Sequence, residues 1–190
     1  GGTCCILDAT ARRDPRRIAN FIIEEHIGIV HFVPSALRAF LRDIGGDQFR
    51  SIRLVVCSGE ALTSDVRDKF FEKCDAALFN LYGPTEAAID VTFYHCLNSE
   101  KGDTRTIPIG KPIANTQIYI LDSSMAPVPI GVPGELYIGG VGLATGYLHD
   151  EDLTSASFGV NPFCSAGEEK RLYRTGDLAR WRDDGNIEFL

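Results

Sequence analysis

Much of what would mark a membrane, metal or nucleic-acid protein is missing here. No apolar run approaches the ~20 residues needed to span a bilayer, and no basic start with an apolar core marks a signal peptide. A net charge of −7 works against a nucleic-acid surface, which needs a basic stripe. The basic clusters, Arg12-Arg13 with Arg16-Arg17 and Lys170-Arg171, are short enough to be solvated surface. The six cysteines, Cys4, Cys5, Cys57, Cys74, Cys96 and Cys164, form no C-x-x-C pair and have no histidine at zinc spacing. Several lie in apolar runs, where a thiol behaves as a small hydrophobe. They read as reduced thiols of a cytoplasmic protein. His26, His31, His95 and His149 make no ligand cluster. There is no phosphate-binding Walker loop and no G-x-S-x-G elbow. The only methionine is Met125, so Gly1 is not a translation start. We therefore expect a piece from inside a longer protein, cut at both ends.

What is present is ordinary globular composition: 190 residues, 44% hydrophobic and 24% charged, enough for one sizeable core or two small modules. The first half alternates helix and strand signals. Asp14-Pro15 opens a helix, with the carboxylate as cap and proline in the first turn. Ile18, Phe21, Ile22 and Glu25 follow at helical spacing. Gly28 to Val33 reads as a buried strand, and Ala36, Leu37, Phe40, Leu41 and Ile44 as a second amphipathic helix. Ile52 to Cys57 is a strand. Thr63 is placed to cap a helix with Val66, Phe70 and Phe71 inward, and Ala77 to Leu81 is a third strand. Strands spaced by helices imply a parallel sheet.

Asn98 to Thr106 is polar and charged, a loop or boundary. Beyond it Thr116 to Leu121, Gly134 to Ile138, Leu172 to Arg174, Ala179 to Arg182 and Ile187 to Leu190 are short strands, with Asp183-Asp184-Gly185-Asn186 as a hairpin turn. The expected class is α/β: residues 1–97 as part of a helix-flanked parallel sheet, 98–106 as linker, and 107–190 as a small β-barrel-like subdomain.

Three segments can carry chemistry. In Asn80-Leu81-Tyr82-Gly83-Pro84-Thr85-Glu86 a strand ends in a Gly-Pro turn and shows an amide, an aromatic face, a hydroxyl and a carboxylate, the equipment for a nucleotide and Mg²⁺. Spacing alone fits a turn whose Thr85 caps a helix just as simply. In Tyr173-Arg174-Thr175-Gly176-Asp177-Leu178 the Asp after a glycine turn can accept bonds from two ribose hydroxyls, or be an ordinary turn residue. The glycine-rich stretch Gly134 to Leu148 offers Gly140-x-Gly142, but Thr145 stands where a third glycine belongs and no βαβ unit surrounds it. It reads as a strand end with tight turns.

Taken together, and in this order, the segments resemble the amino-acid adenylation domains of nonribosomal peptide synthetases, within the adenylate-forming superfamily. Val33-Pro34-Ser35, Ser58-Gly59-Glu60-Ala61-Leu62 and Ile109-Gly110-Lys111-Pro112 extend the resemblance along the chain. It implies a fragment of the N-terminal lobe of such an enzyme. There an amino-acid carboxylate attacks the α-phosphate of ATP, and the acyl group then passes to a phosphopantetheine thiol on a carrier domain.

By the same resemblance Asn80 and Tyr82 contact adenine, with Gly59, Glu60 and Ala61 on its other side. Thr85 touches the α-phosphate, Glu86 binds Mg²⁺ and Asp177 holds the ribose. Phe189 stands near the nucleotide where the family often has Tyr, so a hydroxyl contact is lost. Thr145 replaces a usual Arg. His31, Val56, Ser58, Leu81, Ile89 and Asp90 match the family's selectivity positions. This series is similar to that of serine-activating domains. Without the resemblance, His31 reads as a satisfied core histidine at a strand end.

The expected partners are L-serine, ATP and the carrier and condensation domains of one synthetase, with no nucleic acid and no membrane. The phosphate loop, the Asp for the substrate ammonium and the catalytic Lys of the family lie outside these 190 residues, so the isolated chain is expected to be inactive. An acyl- or aryl-acid adenylating ligase shares the nucleotide segments but calls for a more apolar pocket. An excised, non-catalytic interaction subdomain is the reading outside enzymes.

Overall fold

The computed structural model describes residues 2–8, 10, 14–43, 50–99, 106–164 and 170–190. The chain divides into two compact units: Gly1–Asn80 with His95–Ile107, and Leu81–Tyr94 with Pro108–Leu190. The division does not follow chain order: Leu81–Tyr94 groups with the later residues and His95–Ile107 with the earlier ones. Most of the expected 98–106 linker lies outside the described residues, as does Ile44.

The first unit is a helix-backed parallel sheet. Helix α1 (Pro15–Glu24) begins where Asp14 Oδ1 accepts the Arg16 amide at 2.9 Å, satisfying one of the orphan donors of the first turn. It ends at Glu24 with Glu25 as C-cap, and the next residue, His26, is left-handed (φ 51°). Ala19 and Ile22 are its buried positions. In α2 (Pro34–Asp43), Leu37, Phe40 and Leu41 are buried, one apolar stripe at helical spacing. In α3 (Ser64–Lys73), Val66 and Phe70 are buried and Phe71 is only half-buried. Thr63 occupies the N-cap position but makes no capping bond. Its hydroxyl donates instead to Asp65 Oδ1 at 2.6 Å, so the expected cap is taken up by a side chain.

Strands β1 (Ile29–Phe32), β2 (Leu54–Cys57) and β3 (Ala77–Tyr82) pair in parallel, with His31 beside Val56 and Phe32 beside Cys57. Period-two alternation buries Val55, Cys57, Leu78 and Asn80 and leaves Leu54, Val56, Ala77 and Phe79 half-covered. On the buried side Phe32 packs on Phe40 of α2 at 5.1 Å between centroids. Burial pushes the Cys57 thiol up to about 12, because a thiolate there would lose its hydration. On the other side His95 stacks flat on Phe79, centroids 4.6 Å apart.

The second unit is mainly antiparallel. A short strand β5 (Lys111–Pro112) pairs with the start of β4 (Thr92–Cys96). The main sheet runs β10-β9-β7-β6, with β8 added on β9. Its strands are β6 (Thr116–Leu121), β7 (Gly134–Gly140), β8 (Phe158–Val160), β9 (Arg171–Trp181) and β10 (Ile187–Phe189). This order is open, and among the described residues no ladder joins β6 to β10, so the β-subdomain is a sheet and not a closed barrel.

The two strands expected at 172–174 and 179–182 are one strand, β9, with an irregularity. Glu135 pairs with Leu178 but Tyr137 with Arg174, so extra residues around Gly176 (φ 78°) are pushed out as a bulge. The β9–β10 hairpin turns where expected, with the Arg182 amide on the Asn186 carbonyl at 2.8 Å and Gly185 left-handed. One helix, α4 (Glu151–Ser157), has no counterpart among the expected elements. Its signal was Asp150 before an acidic first turn, and Asp150 Oδ1 does accept the Leu153 amide at 2.9 Å. The core is Ile118, Ile120, Leu136, Ile138, Tyr173 and Ile187, joined by Ala87, Val91 and Ile109.

Candidate active site

In the first unit the expected residues sit at the carboxyl ends of parallel strands, where crossover connections leave room for ligands. His31 is exposed, so it is not a core histidine. Its Nε2 lies 2.8 Å from the Ser58 hydroxyl oxygen. Ser58 is buried just beyond β2, and Val56 is the direct neighbour of His31 across the sheet. The structure therefore brings together three of the residues expected to select the substrate. Gly59 follows with φ 84°, a left-handed turn that favours glycine.

The Glu60 carboxylate accepts both the amide and the hydroxyl of Ser35, each at 2.9 Å. This places a negative charge at the positive N-terminal end of α2. The Glu60 side chain thus holds the loop that carries Gly59 and Ala61. Asn80 is buried, with its Nδ2 on the Ile107 carbonyl at 3.4 Å. Nothing in the local pattern signals the Glu60–Ser35 pair, whose members are 25 residues apart.

In the second unit Tyr82 donates its hydroxyl to Asp177 Oδ2 at 2.5 Å. Its ring lies 6.1 Å from that of Phe189, so three residues expected near a nucleotide lie together. Burial, reinforced by the Asp177 carboxylate, pushes the Tyr82 phenol well above its usual range. Asp177 is presented by the β9 bulge. Thr175 Oγ1 donates to the Leu136 carbonyl at 2.7 Å and accepts the Asp177 amide at 3.0 Å.

Gly83-Pro84 leads into a 3-10 turn, Thr85–Ala87, whose N-cap is Pro84. Thr85 is exposed and caps no helix, which removes the simpler reading of this motif. Ala88 and Ile89 both have positive φ (57° and 79°), a costly conformation for a β-branched residue. The fold holds it by close backbone packing: a Cβ at Gly83 would lie 2.4 Å from the Ile89 carbonyl oxygen. Leu81 is half-buried and Ile89 is 63% exposed. Asp90 has one carboxylate oxygen buried without a hydrogen-bond partner among the described residues. An orphaned acceptor of this kind is expensive unless a ligand fills it.

Glu86 Oε1 accepts the Tyr147 hydroxyl at 2.7 Å, and chiefly for that reason its carboxyl is held below the usual range. An ionised single carboxylate fits Mg²⁺, which takes one or two carboxylates and completes its shell with phosphates and water. Among the described residues no group of three His, Cys, Asp or Glu forms an all-protein metal cage. The six cysteines are free thiols. No described helix is long and apolar enough to cross a membrane.

Residues 1–148 match the model of the family described as AMP-binding enzyme, and the chain belongs to that family. It is homologous to the adenylation domains of nonribosomal peptide synthetases. Over 192 residues it is 49% identical to phosphinothricin tripeptide synthetase PhsB of Streptomyces viridochromogenes, covering all of this chain and 16% of that protein. Among solved structures it is similar to the nonribosomal peptide synthetase FmoA3, at 30% identity and TM-score 0.82, over 93% of this chain and 19% of that one. It is also similar to NpsA-ThdA, an artificially fused adenylation–PCP di-domain from Klebsiella oxytoca, at 26% identity and TM-score 0.81, over 93% and 35% of the two chains. The 190 residues thus span about one sixth of the length of PhsB.

Proposed function

We propose that these residues are part of an adenylation domain that activates L-serine as seryl-AMP with ATP and Mg²⁺ and loads it on a phosphopantetheine carrier. In this reading Asp177 takes the ribose hydroxyls and Tyr82, with Phe189, gives the adenine an aromatic wall. Asn80 and the Gly59–Ala61 backbone hold the base, Thr85 meets the α-phosphate and Glu86 holds Mg²⁺. Bound Mg²⁺ would supply charge stabilisation at the phosphates. The chain's own groups orient the nucleotide, so the chemistry is one of positioning and electrostatics.

The carrying observation for a hydroxyl substrate is the His31–Ser58 pair, a hydrogen-bonding couple in an otherwise apolar row with Val56. The unpartnered oxygen of Asp90 supports it independently, with Leu81 and Ile89 completing the selectivity positions. An artificially fused adenylation–PCP structure among the similar proteins supports a carrier domain as partner; a condensation domain is expected from the family resemblance alone. Six free thiols fit the reducing cytoplasm.

The test is amino-acid-dependent ATP–pyrophosphate exchange by an adenylation domain containing these residues. Serine should lead alanine and threonine. Alanine leaves buried polar groups unpaired, at ~1–3 kcal/mol, and threonine adds a methyl, an overpacking of ~1–3 kcal/mol. Asp90→Ala should narrow the serine–alanine gap more than it changes ATP affinity. A panel led by valine or phenylalanine would defeat the serine assignment. Activation only of acids lacking an α-amino group would make the enzyme an acyl or aryl ligase.

A further inference from the structure

The glycine-rich stretch ending at Tyr147 has no role in the reading above, yet it makes closely spaced contacts with Glu86. We propose that Tyr147 is a positioning residue for Glu86: its hydroxyl fixes the carboxylate that holds Mg²⁺, and the Gly139–Tyr147 segment carries it there. The inference rests on the assignment of Glu86 to the metal.

Glu86 lies on a three-residue 3-10 turn followed at once by left-handed Ala88, so regular secondary structure does little to hold it. Two bonds from the other segment do. The Ala144 amide donates to the Glu86 carbonyl at 2.7 Å, and the Tyr147 hydroxyl donates to Glu86 Oε1 at 2.7 Å. One fixes the backbone and the other the carboxylate.

Tyr147 is itself held. Its amide donates to Thr154 Oγ1 at 2.9 Å, and that hydroxyl donates to the Asp150 carbonyl at 2.7 Å. Its ring meets Phe158 edge-on at 5.8 Å, and Phe158 packs on Tyr173 at 4.9 Å. Gly146 (φ 148°) permits the approach, since a Cβ there would lie 2.5 Å from Thr154 Cγ2.

The donor type also matters. A phenol uses one lone pair of one oxygen and leaves the carboxylate charge intact for a hard cation. A lysine or arginine would cancel that charge, and among the described residues Glu86 makes no ion pair.

The experiment uses an adenylation domain containing these residues, as Tyr147→Phe, Glu86→Gln, the double variant, and Tyr137→Phe as a control. Tyr137 donates its hydroxyl to Glu135 at 3.1 Å and lies outside the proposed site. Equilibrium ATP binding is titrated against Mg²⁺, and Mn²⁺ in the ATP complex is followed by electron paramagnetic resonance. Loss of an outer-shell partner costs metal affinity about tenfold. Tyr147→Phe should therefore raise the Mg²⁺ half-saturation about tenfold and change the Mn²⁺ spectrum. Metal-free ATP binding and the melting temperature should stay near wild type, because the ring contact with Phe158 is kept. In the Glu86→Gln background the same change should add nothing.

The proposal fails if Tyr147→Phe leaves the Mg²⁺ half-saturation unmoved while Glu86→Gln shifts it. It also fails if the shift is undiminished in the Glu86→Gln background, or if Tyr137→Phe reproduces it. If Glu86→Gln itself has no effect on metal dependence, the metal assignment falls and the inference falls with it.

Discussion

The two units hold their polar groups in different ways. In the first, His31, Ser58 and Asn80 stand at the ends of regular parallel strands, and their placement follows from register: His31 beside Val56, Asn80 beside Cys57. In the second, Asp177 and Glu86 stand on irregular backbone, and each is tied by a tyrosine hydroxyl from elsewhere in the unit. Tyr82 holds Asp177, Tyr147 holds Glu86, and Thr175 anchors the bulge. Regular strands position side chains through packing, so the first unit should fail when its core fails. The second should fail at single backbone contacts and single hydrogen bonds.

Three substitutions would break or sharpen that contrast, each in a domain containing these residues. The largest effect is expected from Phe70→Ala in α3. Phe70 is fully buried, and the cavity should lower the unfolding free energy by ~3–5 kcal/mol, read as a shift of the urea midpoint at constant slope. A shift under a third of that would mean the unit does not depend on its helix layer.

Gly83→Ala comes next. The new methyl meets the Ile89 carbonyl at 2.4 Å and Asp90 Cα at 2.8 Å, backbone atoms that cannot swing away. A loss of ~1–3 kcal/mol is expected, together with weaker discrimination of serine from alanine as Asp90 shifts. Unchanged stability in urea, with discrimination intact, would show that the Ala88–Asp90 turn is not held by this contact.

The smallest effect is expected from Tyr82→Phe, which removes one hydrogen bond worth ~1 kcal/mol and keeps the ring beside Phe189. Because Asp177 loses its tether, the KM for ATP should rise several-fold while that for the amino acid stays put. Equal changes in both would assign Tyr82 a purely structural role.

Periodicity made the first unit legible. Leu37, Phe40 and Leu41 at helical spacing, and the alternation of Val55 and Cys57 with Val56, follow from how an element must bury one face. The Asp14 cap and the Asp183–Asn186 turn were legible for the same local reason: the residue and its partner are a few positions apart. Thr63 shows the limit even there, since its hydroxyl had a choice of partners and took Asp65.

The candidate site residues were legible only as motifs. Which side chains hold them was not, because those partners are 25, 61 and 95 residues away: Ser35 for Glu60, Tyr147 for Glu86, Tyr82 for Asp177. Sequence by itself determined the helices and parallel strands of the first unit, the β9–β10 turn and the family resemblance, all properties of short windows of chain. Tertiary structure alone decided that β9 is one bulged strand, that Ile89 is held left-handed against Gly83, and that a tyrosine from a glycine-rich loop meets the Glu86 carboxylate. Each depends on atoms brought together by folding, and no local spacing encodes that distance.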